Sequence, residues 1–125
     1  MISFENFIMQ DGSPIYLQIL LYIKRGIIAG IISDGDELPS RRVLSALLGV
    51  NPNTVQKAYK MLEEEGLIQS RTGAKSYVAV TVTKLRKIRE ELLEDDAKNA
   101  VNALKMMGVS KEEAHALIDK YWEVT

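Results

Sequence analysis

The sequence lacks residue types on which whole classes of protein depend. It contains no cysteine and one histidine, His115, among 125 residues. Disulfide bonds, thiolate metal sites and cysteine nucleophiles are therefore excluded. His115 stands near Glu112 and Asp119 in a helical pattern, but a single imidazole beside helical acids is typical of a solvated surface. We therefore predict no metal site and no cofactor.

Long apolar runs and a charge excess are also missing. The most apolar stretch, residues 15–32, is interrupted by Gln18, Lys24 and Arg25, so it is a poor membrane span and a poor signal peptide. We expect a cytoplasmic protein with no membrane partner. The formal net charge is −1. Residues 38–80 are nevertheless mildly basic, because their six lysines and arginines outnumber three glutamates.

Two short helical patterns meet at a tight turn within residues 38–62. Ser40 is a suitable N-cap for the first pattern. Gly49 suits the left-handed position that ends a helix, and Asn51 with Pro52 suits the start of the next one. The second helix places apolar residues on one face, namely Val55, Ala58, Tyr59 and Leu62. Its opposite face carries amides and cations, namely Asn53, Gln56, Lys57 and Lys60. This is a helix-turn-helix pattern, and its second helix is the candidate reader of a DNA major groove.

A β-hairpin is predicted after the second helix. Residues 67–70 and 76–80 have strand composition, and the polar turn between them contains Gly73. A hairpin in this position is the wing of a winged helix. Arg71 and Lys75 lie at its predicted tip, where both side chains can reach phosphate, and Gly73 allows the backbone to approach DNA closely.

Further segments flank this motif on both sides. Residues 1–12 are too apolar for a free tail and are expected to pack on the domain. Ser13 and Pro14 are expected to be the N-cap and first residue of an apolar helix, which begins the DNA-binding domain, residues 13–80. Residues 81–125 show two helices whose apolar stripes must cover either that domain or a second subunit. We predict a dimer with an interface that contains Leu85, Ile88, Leu92, Leu104, Leu117, Ile118, Tyr121 and Trp122.

Several motifs occur in a fixed order along the chain. They are Leu-Pro-Ser-Arg-Arg at 38–42, Leu-Leu-Gly-Val-Asn-Pro-Asn-Thr-Val-Gln-Lys-Ala-Tyr at 47–59 and Glu-Gly-Leu-Ile at 65–68. In this order they resemble the GntR family of bacterial transcription regulators. The string Asn-Pro-Asn-Thr-Val-Gln-Lys-Ala-Tyr at 51–59, with Ser-Pro-Ile-Tyr-Leu-Gln-Ile at 13–19, resembles the YtrA subfamily. The resemblance implies a mainly α fold with a small β-hairpin wing, followed by a two-helix tail through which members dimerise.

The resemblance also implies DNA contacts. Arg42, which follows the Pro-Ser pair, corresponds to a phosphate or base contact, and Gly73 corresponds to the wing glycine. The positions of the recognition helix correspond to Asn53, Thr54, Gln56 and Lys57. Other cations are predicted to contact DNA from their own placement, namely Arg41, Lys60, Arg71 and Lys75. Lys75 stands where many family members have a second wing glycine.

Together these observations predict a sequence-specific DNA-binding regulator. We expect a repressor that binds an inverted-repeat operator as a homodimer, with recognition helices about 34 Å apart. One alternative is a winged-helix module that binds an acidic protein without specific DNA binding. Another is a metabolite sensor with its ligand between tail and domain, and the identity of any effector stays unknown. The sequence has no nucleophile–base pair, metal-ligand spacing or phosphate-binding loop, so we predict that the protein is not an enzyme.

Overall fold

The computed structural model describes residues 1–71 and 75–125. Its helices and strands are α1 (Ile15–Ile28), β1 (Glu37–Leu38), α2 (Arg41–Leu48), α3 (Pro52–Glu64), β2 (Ile68–Arg71), β3 (Lys75–Val78), α4 (Val82–Met106) and α5 (Lys111–Trp122). Two compact units are present, residues 1–88 and residues 89–125. The first unit holds the winged-helix elements, and the second holds most of α4 and all of α5. The predicted functional division at residue 80 stays a prediction.

The start of α1 differs by one residue from the prediction. The helix begins at Ile15, and Pro14 rather than Ser13 occupies the cap position, without a side-chain hydrogen bond. Gln18 bonds the preceding chain instead. Its Nε2 donates to the carbonyls of Gln10 and Ser13, and its Oε1 accepts from the Gln10 N–H at 2.8 Å. The Gln18 side chain therefore ties residues 10–13 to α1 without capping a first-turn N–H of the helix, and the prediction of Ser13 as the N-cap was wrong.

The first residues of the chain pack on α1 and on the sheet. Ile2 and Phe4 are buried, and the ring of Phe4 stacks on Tyr22 with centroids 4.9 Å apart. The Ile2 N–H donates to the Glu37 carbonyl at 2.8 Å. Residues 1–12 therefore contribute apolar contacts to the first unit.

The turn between α2 and α3 follows the predicted local signals. The Ser40 hydroxyl accepts a hydrogen bond from the Val43 N–H at 3.1 Å. Gly49 has a φ of 68°, a left-handed conformation that residues with side chains rarely adopt. The Asn51 Oδ1 accepts from the Asn53 N–H at 2.8 Å, which caps α3. These contacts confirm the two caps and the glycine turn.

The sheet is antiparallel, with the strand order β1–β3–β2. Strands β2 and β3 form the predicted hairpin, in which Ile68 pairs with Val78 and Arg71 pairs with Lys75. The short strand β1 was not predicted, because its two residues become a strand only by pairing with β3. Gly73 lies outside the described residues.

The core of the first unit lies behind α3. The predicted apolar face of this helix is fully buried, namely Val55, Ala58, Tyr59 and Leu62. It packs against α1 and α2, and Ile19, Ile23 and Leu44 are equally inaccessible to solvent. Burial of each such aliphatic side chain stabilises the fold by about 1.5–3 kcal/mol. This packing fixes the rotation of α3 about its axis and directs the opposite face outward.

The predicted interface residues of the tail fall into two groups. Leu85 and Ile88 pack on the core of the first unit. In residues 89–125, all of which are described, no residue is buried. Leu92, Leu104 and Leu117 are half-buried there, whereas Ile118, Tyr121 and Trp122 are 51%, 53% and 75% exposed.

No helix within the described ranges is long and apolar enough to span a membrane.

Candidate nucleic-acid interface

The outward face of α3 is a row of hydrogen-bonding and cationic groups. Asn53, Gln56, Lys57 and Lys60 are all exposed. Thr54 is half-buried, and its N–H donates to the Asn51 carbonyl at 2.9 Å within the first turn of the helix. The four exposed side chains therefore share one surface, which offers amides and ammonium groups to a ligand.

Lys57 differs from its neighbours on this surface because an aromatic ring lies beneath its charge. Its Nζ lies 4.0 Å from the ring centroid of Tyr16, at the start of α1. Such a contact attracts the cation through the ring quadrupole and leaves its charge uncancelled. Helical spacing places Tyr16 only in the apolar stripe of α1 and does not reveal this contact.

The two arginines at the start of α2 have different surroundings. Arg42 is exposed. The Arg41 Nη2 donates to the Glu63 Oε1 at 2.9 Å, and the guanidinium carbon lies 5.1 Å from the ring centroid of Tyr59. The same Glu63 oxygen accepts from the Ser70 hydroxyl at 2.7 Å. Arg41 therefore joins the start of α2 to the end of α3 and to β2, while Arg42 points its charge into solvent.

Tyr59 anchors α3 to the chain before α2. Its hydroxyl donates to the Pro39 carbonyl at 2.7 Å in a buried hydrogen bond. Burial raises the pKa of Tyr59 well above its ordinary value of 10.0, and the nearby charge of Arg41 offsets part of that rise. The phenol therefore stays neutral and acts as a structural donor.

The acids at the end of α3 are compensated by cations from other helices. The Lys24 Nζ lies 2.8 Å from the Glu65 Oε1, and its side chain is only 11% exposed. The Lys84 Nζ donates to the Gly66 carbonyl at 2.6 Å. Cations at a helix C-terminus interact favourably with the helix dipole and so oppose the cost of the acids. They also hold the end of α3 to α1 and to the start of α4.

The wing brings two cations together. Arg71 and Lys75 are both exposed and lie directly opposite each other in the hairpin register. Like charges in this arrangement repel each other, and a bound phosphate would relieve the repulsion. The Arg71 guanidinium carbon lies 4.5 Å from the ring centroid of Tyr77, on the neighbouring strand. As at Lys57, the sequence pattern alone does not reveal the tyrosine that holds the cation.

These features define a class of protein. A helix buried on one side and polar on the other, preceded by a capped short helix and followed by a basic hairpin, is a winged helix-turn-helix DNA-binding domain. Residues 15–78 match the family described as "Bacterial regulatory proteins, gntR family". The chain belongs to the GntR family, as the sequence motifs predicted.

The similarity to individual proteins covers more of the chain than this domain. The "HTH-type transcriptional repressor YtrA" of Bacillus subtilis (strain 168) is 36% identical over 110 residues, which are 87% of this chain and 85% of that protein. A GntR family transcriptional regulator from Listeria monocytogenes is 32% identical with a TM-score of 0.76, covering 90% of this chain and 98% of that one. This likeness agrees with the predicted resemblance to the YtrA subfamily.

A further solved structure contains DNA. The structure of AraR(DBD) in complex with operator ORX1 is 29% identical, with a TM-score of 0.50, and covers 58% of this chain and 92% of that one. Since the chain belongs to a family of DNA-binding transcription regulators, it is such a regulator and not an enzyme, as predicted. Its partner is DNA.

Proposed function

We propose that this regulator is a repressor that binds an inverted-repeat operator as a homodimer, with α3 of each subunit in a major groove. The main support for the proposal is that α3 has one buried apolar face and an opposite face that is polar and exposed. Four fully buried residues fix one side of the helix, so its amides and amines face outward at set positions. The name of the Bacillus subtilis relative supports repression as the outcome.

Within this proposal, the polar face of α3 reads the base sequence. A glutamine or asparagine pairs bidentately with adenine in the major groove, and lysine donates to the O6 and N7 of guanine. Gln56, Asn53 and Lys57 supply these groups. Thr54 donates to a phosphate or touches a thymine methyl group. Lys60, further along the helix, contributes a phosphate contact that does not depend on sequence.

Cations outside α3 hold the protein on the sugar-phosphate backbone. Arg42 supplies an exposed guanidinium at a helix start, where backbone N–H groups also favour anions. Arg71 and Lys75 bind phosphate from the wing, whose predicted glycine, Gly73, lies outside the described residues. Arg41 supports the site mainly by fixing α2 against α3, since its guanidinium already bonds Glu63.

The tail joins two subunits. The exposed apolar side chains of residues 89–125 support this assignment, namely Leu93, Val101, Ile118, Tyr121 and Trp122. Large apolar side chains left exposed to solvent on two helices favour a role for these helices in binding another protein chain. A regulator of this family acts on the chromosome, so we place the protein in the cytoplasm.

Selection of bound duplexes from a random DNA pool tests the proposal. The full-length protein is expected to enrich an inverted repeat whose half-sites lie about 34 Å apart, one turn of DNA. Affinity for the enriched duplex should fall steeply with salt, with a log–log slope of about −0.9 for each phosphate contact. An unenriched pool, or no DNA binding at low salt, would favour a module for protein partners and reject the proposal.

A further inference from the structure

Tyr16 contacts Lys57 from a different helix, and this contact bears on how the regulator distinguishes sequences. We propose that Tyr16 is a specificity-determining positioning residue that holds the Lys57 ammonium over its ring and so directs it to one base position. The inference rests on the proposed function, in which the outward face of α3 reads bases. Tyr16 acts through Lys57 and needs no contact with DNA of its own.

The ring of Tyr16 is a fixed platform. Tyr16 is half-buried and packs against the core of the first unit. It lies in the first turn of α1, a helix that packs directly on α3. The 4.0 Å separation between the Lys57 Nζ and the ring centroid is within the range of a cation–π contact. The position of the ammonium is therefore set by the packing between two helices and not by the flexible lysine stem alone.

The choice of an aromatic partner preserves the charge that DNA binding needs. A carboxylate would orient the ammonium equally well but would cancel its charge and repel phosphate. Among the described residues, no carboxylate forms an ion pair with Lys57. Arg41 has the opposite arrangement, because Glu63 neutralises it. Lys57 therefore keeps a charge that is available to DNA, whereas the charge of Arg41 is neutralised by an ion pair within the protein.

A held ammonium discriminates between bases better than a free one. Lysine has a long flexible stem, and an unrestrained ammonium reaches several base edges and phosphates. A side chain already placed for binding loses less conformational entropy when it meets its correct base. A cation–π contact at an exposed site corresponds to a factor of about two to five in an equilibrium constant.

The test measures base discrimination in the full-length protein. The probes are the duplex that the wild type selects from a random pool, its single-base-pair variants and mixed-sequence DNA. Tyr16→Leu is expected to lower discrimination at one position of each half-site by about two- to fivefold. The salt slope should stay unchanged, because no phosphate contact is removed. Tyr16→Phe keeps the ring and should keep the discrimination.

Lys60 provides a matched control on the same face, because no aromatic contact to it occurs among the described residues. Lys60→Met should weaken binding to all the duplexes by a similar factor. In a Lys57→Met background, Tyr16→Leu should cause no further loss of discrimination, because the group that it positions is gone.

The outcomes separate this inference from the proposed function. If Lys57→Met alters discrimination but Tyr16→Leu does not, Lys57 reads a base and the positioning role of Tyr16 is rejected. If Lys57→Met leaves discrimination unchanged, base reading by Lys57 and the inference built on it both fail. Thermal unfolding reports whether each variant is folded. If Tyr16→Leu does not fold, Tyr16→Met, which also removes the ring, takes its place with the same expected loss.

Discussion

At the scale of single residues, neighbours in sequence have separate tasks. Arg41 and Arg42 are adjacent and chemically identical, and both were predicted to contact phosphate. In the structure Arg41 bonds Glu63 and lies over the Tyr59 ring, whereas Arg42 is exposed. Sequence alone does not distinguish them, because the partner of Arg41 lies in a different helix.

This difference gives a prediction for matched arginine variants. Arg42→Ala should reduce the salt slope of operator binding by about 0.9 for each phosphate that the arginine neutralises, or by about twice that in a dimer. Arg41→Ala should instead lower the free energy of unfolding by roughly 1 kcal/mol, because it removes a partly exposed ion pair and a cation–π interaction. Salt titrations and urea unfolding measure the two effects. Equal changes in slope for both variants would contradict the assignment.

A second residue-scale prediction concerns Tyr59. Tyr59→Phe should lower the free energy of unfolding at neutral pH by about 1–3 kcal/mol, because the buried Pro39 carbonyl loses its donor. Urea unfolding measures this loss, and an unchanged midpoint would reject the anchoring role of the hydroxyl.

The same residue predicts a pH dependence. Burial raises the pKa of folded Tyr59 above its ordinary value of 10.0. Above that pH the unfolded chain releases the proton while the folded chain retains it, so the wild type should lose stability as the pH rises beyond about 10. Tyr59→Phe lacks this group and should lose less stability over the same range. Equal losses in the two proteins would contradict the prediction.

At the scale of elements, the sequence predicts best where the determinants are local. The N-caps Ser40 and Asn51, the turn at Gly49 and the buried face of α3 all depend on residues within a few positions. Ser13 and Pro14 suggest a capped start for α1, but Pro14 itself occupies the cap position and no side chain caps the helix. The strand β1 was missed because its partner lies far along the chain.

The candidate site shows the same limit. Spacing alone placed Gln56 and Lys57 on the outward face of α3. No sequence period reveals that Tyr16 lies beneath Lys57 or that Glu63 holds Arg41, since each pair is joined by packing between helices. The sequence identifies the cations that are candidates for DNA contact. Only the tertiary structure shows which of them have no acidic partner and remain available for DNA.

The tail gives a prediction at this scale. Ile118, on α5, is half exposed, and in the proposed dimer it lies against the second subunit. Ile118→Lys should place a charge in that apolar contact and convert the dimer to a monomer at micromolar concentration. Ala116→Lys adds the same charge to an exposed position outside the predicted interface and should leave the dimer intact. Sedimentation equilibrium distinguishes the two states, and a dimeric Ile118→Lys variant would contradict the assigned interface.

At the scale of the whole molecule, net charge is a poor guide to the partner. The chain carries a net charge of −1 although its family binds DNA. Its acids near α3 are compensated locally, as at Glu63 and Glu65, so the outward face of the helix keeps unneutralised amines. The distribution of charge, rather than its sum, therefore supports the proposed DNA-binding surface.

Selection from random DNA with the wild type and Gln56→Ala in parallel tests whether the outward face of α3 reads bases. Glu64→Ala, an exposed change at the far end of the same helix, serves as the control. We predict that Gln56→Ala relaxes the base preference at one position of each half-site and retains the others, while the control selects the wild-type sequence. An unchanged preference in Gln56→Ala at every position would contradict base reading by this residue on α3.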